Sequence, residues 1–130
     1  MIMYPEDYSY TKEHEWIKKD GSEVTVGITN YAQKELGDIV YVDLPAAGKK
    51  FAMGEAFGSI ESVKAVSEIY APVNMEIVSV NSAVTDAPEL INQDPHGKGW
   101  LVKVKLSNES DLDSLLNSQE YEDLISQEKH

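Results

Sequence analysis

Between Lys50 and Lys98 the chain carries one lysine, Lys64, set in the stretch FGSIESVKAVSEIYAP from Phe57 to Pro72. Small and β-compatible residues lead in through Gly58 and Ile60 and lead out through Val66, Ile69 and Tyr70. The stretch is therefore expected to fold as a hairpin with Glu61-Ser62-Val63-Lys64-Ala65 at its tip. An amine on such a tip is exposed while two strands hold its backbone, which is the presentation a lysine-modifying enzyme needs. Glu61 and Glu68 flank it at a distance. A lysine on a surface turn is also the ordinary solubilising residue, so spacing alone leaves an inert, solvated Lys64 open.

No other constellation competes with it. The sequence has no cysteine, which removes disulfides, thiolate metal sites and cysteine nucleophiles. His14, His96 and His130 are too scattered for a metal spacing. There is no G-x-S-x-G, Walker loop or G-x-G-x-x-G, and Gly97 and Gly99 flank only Lys98. The chain is thus expected to be no enzyme; its chemistry must come from an attached group or a partner.

Charge narrows the partners. Eleven bases, all lysine, stand against 23 acids, for a net charge of −12. A phosphate-neutralising face needs basic residues, usually with Arg forks, so nucleic acid is not an expected partner. Anionic membranes are disfavoured for the same reason. Ser107 to His130 holds seven acids against Lys129, half of the net charge, and reads as a solvated helical face. No apolar run approaches the roughly 20 residues of a membrane-spanning helix. Met1 to Asp7 has two acids and no base, unlike a secretory or transit leader. At 130 residues, 42% hydrophobic, one domain over 1–130 is expected, with an acidic helical segment from about 107.

The elements that must position Lys64 are mostly short strands. Val24, Val26 and Ile28 alternate with Glu23, Thr25 and Gly27 after a turn at Asp20-Gly21. Val40, Val42 and Leu44 repeat the pattern until Pro45 and Gly48, and Ile77, Val78 and Val80 suggest another strand. Trp100, Val102, Val104 and Leu106 share one face, with Lys103 and Lys105 on the other. A short helix is expected near Thr29 to Leu36, capped by Thr29 or Asn30 and closed by Gly37. A second follows Ser118 as N-cap, with Tyr121, Leu124 and Ile125 at helical spacing, and Leu112, Leu115 and Leu116 suit an earlier turn.

The segment ESVKA closely resembles the lipoyl-lysine segment of the glycine cleavage system H-protein family. TKEHEW (Thr11 to Trp16), VGITN (Val26 to Asn30), Ala32-Gln33, Leu36-Gly37-Asp38, VDLP (Val42 to Pro45), PELIN (Pro88 to Asn92) and DPHGKGW (Asp94 to Trp100) resemble the family's other blocks, in its order. Two departures stand out. Asn74-Met75 occupies a usual Ser-Gly turn, which suggests a different turn because Met disfavours positive φ. Val84 replaces a usual leucine.

The resemblance implies a mostly β fold, two small antiparallel sheets in a barrel-sandwich hybrid with a short helix and a C-terminal helix. It implies lipoate in amide linkage to Lys64, with Glu61, Val63 and Ala65 as recognition context for a lipoate ligase or lipoyltransferase. It further implies a shuttle that takes an aminomethyl group from a pyridoxal-phosphate glycine decarboxylase (P-protein) to an aminomethyltransferase (T-protein). Dihydrolipoamide dehydrogenase (L-protein) then receives the electrons. The loaded arm is expected in a surface cleft where a carboxylate keeps the cargo amine protonated. By position Glu15 is the best match for that acid, with Glu13 and Glu68 as further candidates, and an ordinary surface glutamate is the alternative. The expected compartment is bacterial or archaeal cytoplasm, with a processed mitochondrial-matrix form as the alternative. Trp16 and Trp100 read as core or cleft wall, His14 and His96 as hydrogen-bonded loop residues.

Three other readings remain at this point. A biotinyl domain favours methionines beside its lysine, where Val63 and Ala65 stand here. A relay protein supplying lipoyl groups to 2-oxoacid dehydrogenases would use the same lysine. An interaction module would leave Lys64 unmodified.

Overall fold

The computed structural model describes residues 4–128; Met1, Ile2, Met3, Lys129 and His130, on which parts of the leader, tail and histidine readings fall, lie outside the described residues. The strands are β1 (Ser9–Tyr10), β2 (Glu15–Asp20), β3 (Glu23–Ile28), β4 (Ile39–Asp43), β5 (Lys50–Phe51), β6 (Ala56–Ser62), β7 (Val66–Tyr70), β8 (Met75–Val80) and β9 (Val102–Leu106). They form a six-stranded sheet in the order β1-β2-β3-β9-β8-β5 and a three-stranded sheet in the order β4-β6-β7. Every pairing is antiparallel. The helices are α1 (Asn30–Leu36), α2 (Ser82–Asp86), α3 (Glu89–Gln93) and α4 (Ser118–Glu128), with a 3-10 turn at Glu109–Ser114. The mostly β, two-sheet architecture read from the sequence is the one observed.

The alternating residues explain how the sheets meet. Ile17, Val24, Val26, Ile77, Val102 and Val104 from the larger sheet and Ile39, Val42, Ile60 and Ile69 from the smaller join one buried apolar cluster. Each such side chain contributes about 1.5–3 kcal/mol by leaving water. The opposite face of β2 is covered differently. Trp16 lies across Gly27, where a Cβ would approach its indole to 2.6 Å, and joins Tyr4, Tyr10, Tyr31, Tyr121 and Ile125 in a second, largely aromatic cluster. Thus the first half of β2, Glu15 to Ile17, is buried on both faces, while Lys19 and Asp20 at its end are exposed.

Several expectations change. Ile39, not Val40, enters the core, because the register of β4 against β6 shifts between Ile39 and Tyr41 and leaves Val40 exposed. A second shift between Ile77 and Ser79 turns Val78 to solvent. Trp100 precedes β9 rather than leading it; Leu101 is buried there, and Trp100 packs against the aromatic cluster. Asn117, not Ser118, caps α4, since its Oδ1 accepts from Glu120 N–H at 2.8 Å while Glu120 Oε1 accepts from Asn117 N–H at 2.9 Å. The short helices α2 and α3 went unread. Met75 begins β8 in the core without positive φ, so the Asn74-Met75 departure needs no left-handed turn. Val84 fills its place fully buried.

Candidate functional site

The lysine hairpin forms as expected from β6 and β7, with Glu61 paired to Val66 as the last row before the tip. Ser62 organises that tip. Its Oγ accepts from the N–H groups of Lys64 (3.3 Å) and Ala65 (3.1 Å), and its own N–H donates to the Ala65 carbonyl at 2.8 Å. A serine hydroxyl mimicking a backbone acceptor is the usual means of closing so short a turn. The tip is also pinned from outside, because Val63 N–H donates to the Asp38 carbonyl at 3.0 Å. Asp38 is itself held: Asn92 on α3 donates to the Gly37 carbonyl and accepts from Ile39 N–H, both at 2.9 Å.

On this pedestal Lys64 is exposed, as are Glu61, Val63 and Ala65. Its aliphatic stem leans toward the end of α1, where a Cβ on Gly37 would lie 3.5 Å from Lys64 Cε. Gly37 has φ 80°, closing α1 as the sequence suggests, and Thr29 caps the other end through Ala32 N–H.

Beside the hairpin lies a cleft of about 280 Å³. One wall is hairpin, Ile60 with Ser67, Glu68 and Ile69; a second is α1, with Tyr31, Glu35 and Leu36 among its residues. The turn into β2 adds Glu13, His14 and Glu15, and the end of α4 adds Glu128. Ser67 is three residues beyond Lys64, about 10 Å along an extended strand, so the cleft opens within reach of an arm anchored at the tip. Five carboxylates line it and no lysine does. Such a lining favours a cation.

Glu15 differs from the other four. It is 2% exposed, its Oε1 accepts from the Thr11 hydroxyl at 2.6 Å, and its Oε2 accepts from Tyr70 N–H at 3.4 Å. Burial pushes its carboxyl up to about 7, against the lowering effect of those two hydrogen bonds, and the neighbouring Glu13 charge raises it further. This is no ordinary surface glutamate: raised to about 7, its carboxyl is divided between protonated and ionised forms near neutral pH. Glu13 and Glu68 line the same cleft as exposed residues. The structure thus brings Glu13, Glu15 and Glu68 to one cleft and sets Lys64 at the tip of the hairpin that walls it.

Both internal histidines are hydrogen-bonded loop residues. His96 Nε2 accepts from Asn30 N–H at 3.1 Å. His14 Nδ1 lies 2.8 Å from the Tyr121 hydroxyl. Trp16 is core, and its indole N–H donates to the Pro95 carbonyl at 2.8 Å. The sequence missed His14, Glu35 and Glu128 as cleft residues, Ser62 as organiser of the tip and Asn92 as the clamp beneath it. Only Ser62 had a local signal, a hydroxyl two residues before the lysine on a turn.

The family model for the glycine cleavage H-protein matches residues 8–128. The chain is 51% identical over 128 residues to the glycine cleavage system H protein of Carboxydothermus hydrogenoformans, covering 98% of each chain. It is 53% identical over 121 residues to that of Staphylococcus carnosus, covering 93% of this chain and 96% of the relative. A crystal structure of a glycine cleavage system H protein from Mycobacterium marinum superposes with a TM-score of 0.84 at 39% identity, over 97% of this chain and 99% of that one.

Proposed function

The chain belongs to the glycine cleavage H-protein family, and from that premise we propose that it is a lipoyl carrier with lipoate in amide linkage to Lys64. The cargo is an aminomethyl group, received from the P-protein and delivered to the T-protein, while electrons pass to the L-protein. When bound, lipoate supplies the redox sulfur chemistry that the chain's own side chains lack. The whole chain serves as one non-catalytic carrier unit in bacterial or archaeal cytoplasm. The observation that carries this reading is the held, exposed tip: Ser62 and the Asp38 carbonyl fix the backbone on either side of an amine that is open to solvent. Tethering there keeps the arm's end at high effective concentration near any docked partner.

The cleft suits the cargo. An ammonium entering it would meet the carboxyls of five glutamates, and Glu15, buried beside the hairpin, would pair with it as the carboxylate, its proton passing to solvent. Pairing keeps the amine protonated, and the walls of Ile28, Leu36, Ile60 and Ile69 limit water.

Docking is expected on the outer face of the smaller sheet. Among the described residues six large apolar side chains are exposed, and four of them, Val40, Tyr41, Val63 and Val66, belong to the tip or the strands beneath it. Tyr41 pairs with Glu61 and Glu61 with Val66, so these three form one row across the sheet. With exposed Asp38, Glu61 and Glu68 around them, the complementary surface is apolar with a basic rim. Replacing Val63 and Val66 together by Ser is expected to raise the ligase's KM for this protein roughly 30-fold with kcat little changed, at about 1 kcal/mol lost per side chain; steady-state lipoylation kinetics check it.

Intact mass before and after incubation with lipoate, ATP and a lipoate ligase tests the carrier reading. One lipoyl addition per chain is expected. No addition, with the ligase active on a known acceptor, overturns it.

A further inference from the structure

The strongest feature the carrier reading leaves unused is a phenol. Tyr121 is fully buried on α4, and its hydroxyl lies 2.8 Å from His14 Nδ1 and 2.7 Å from Thr29 Oγ1. Each partner belongs to a different wall of the cleft. Thr29 caps α1, its Oγ1 accepting from Ala32 N–H at 3.2 Å. His14 lies in the turn that carries Glu13 and Glu15, and its Nε2 sits 3.4 Å from Glu128 Oε1 at the end of α4 itself.

The backbone at His14 adds a second observation. With φ 72° it is the one non-glycine described residue in the left-handed region, a conformation that costs roughly 1–3 kcal/mol and persists only where surroundings impose it. What imposes it is on the page. Its N–H donates to the Thr11 carbonyl, its carbonyl accepts from Thr29 N–H, and its ring packs 4.8 Å from that of Tyr31. The side-chain tie to Tyr121 completes the restraint.

The hydrogens follow from the donor inventory. The Glu128 carboxylate only accepts and favours the proton of neutral His14 on Nε2. Nδ1 then accepts from the Tyr121 hydroxyl, whose oxygen accepts from Thr29. With His14 neutral, the chain Thr29 to Tyr121 to His14 then runs in one direction, and it links α1, α4 and the turn before β2.

We propose that Tyr121 is a positioning residue of the arm cleft, holding the His14 turn, the start of α1 and the end of α4 in one arrangement through its hydroxyl. The C-terminal helix is then a wall of the cleft, and Glu15 and Glu128 stand at their posts only while it is docked. This rests on the carrier reading for its consequence but not for its geometry. Tyr121→Phe keeps the ring, which stacks on Tyr10 at 4.9 Å, and removes only the tie.

The test has two arms. In the unmodified protein, nitrogen chemical shifts of His14 are expected to report the Nε2–H tautomer in the parent and a mixture in Tyr121→Phe. In the lipoylated, aminomethyl-loaded protein, spontaneous loss of the cargo is expected to be roughly fivefold faster in the variant, the worth of about one hydrogen bond. Intact mass first establishes the arm on parent and variant; if neither carries it, the carrier reading fails and the tautomer arm still decides this one. A parent His14 protonated on Nδ1, or a variant with unchanged tautomer and unchanged cargo lifetime, overturns the proposal. Should Tyr121→Phe fail to fold, the parent's His14 tautomer alone decides: the Nε2–H form supports the proposal and the Nδ1–H form overturns it.

Discussion

With lipoate, ATP and a lipoate ligase, Lys64→Arg is expected to gain no mass, where the parent gains one lipoyl group on every chain. Acylation needs a neutral amine, and a guanidinium, which stays charged at any working pH, offers none. The substitution should cost the fold little, roughly within 0.5 kcal/mol, because the side chain is exposed and the turn is held by Ser62 and Asp38 rather than by the lysine head. Equal melting temperatures and a complete loss of modification are therefore expected together. Mass gained by Lys64→Arg would move the attachment site to another lysine.

Glu15→Gln is expected to divide stability from function. With its carboxyl raised to about 7 in the fold from 4.5, Glu15 favours the folded state most below pH 4.5, and that contribution is lost as pH rises through 7. The change amounts to about 3 kcal/mol. Glutamine does not titrate, so the variant should lack this part of the slope and be at least as stable as the parent at pH 8. Its side chain still accepts from Tyr70 N–H and donates to Thr11 Oγ1, which keeps the buried site satisfied. The cargo fares differently. An ammonium deprived of a carboxylate partner in a buried site loses about 2 kcal/mol of stabilisation, and the loaded arm should release its amine roughly 30-fold faster. Denaturation profiles across pH and the decay of loaded protein check the two halves. An unchanged decay would remove Glu15 from the role.

Particular residues explain how much of this was legible in the sequence. Alternation found β3 and most of β9, because a half-buried strand writes its period into Val24, Val26, Ile28, Val102 and Val104. It misplaced Val40, since a bulge changes which residue faces inward without changing composition. The helices α2 and α3 span five residues each, too short to display a period. Lys64 stood out because a hairpin tip is a local object. Glu15 did not show its burial: Glu15, Trp16 and Ile17 are all buried, and the covering comes from the hairpin, α1 and the aromatic cluster. Resemblance pointed to that residue where pattern was silent. His14, Glu128 and Tyr121 meet across more than 100 residues of chain, and nothing local announces such a meeting.

The clamp that Asn92 places under Gly37 and Ile39, and the bond from Val63 to Asp38, lock the loop around the lysine by main-chain ties that do not involve its amine. Under the proposed attachment, acylation of Lys64 leaves these ties, and with them the backbone of the loop, in place. The backbone that a modifying enzyme would grip is then the same before and after acylation, and its release would follow from the spent nucleophile rather than from a moved loop.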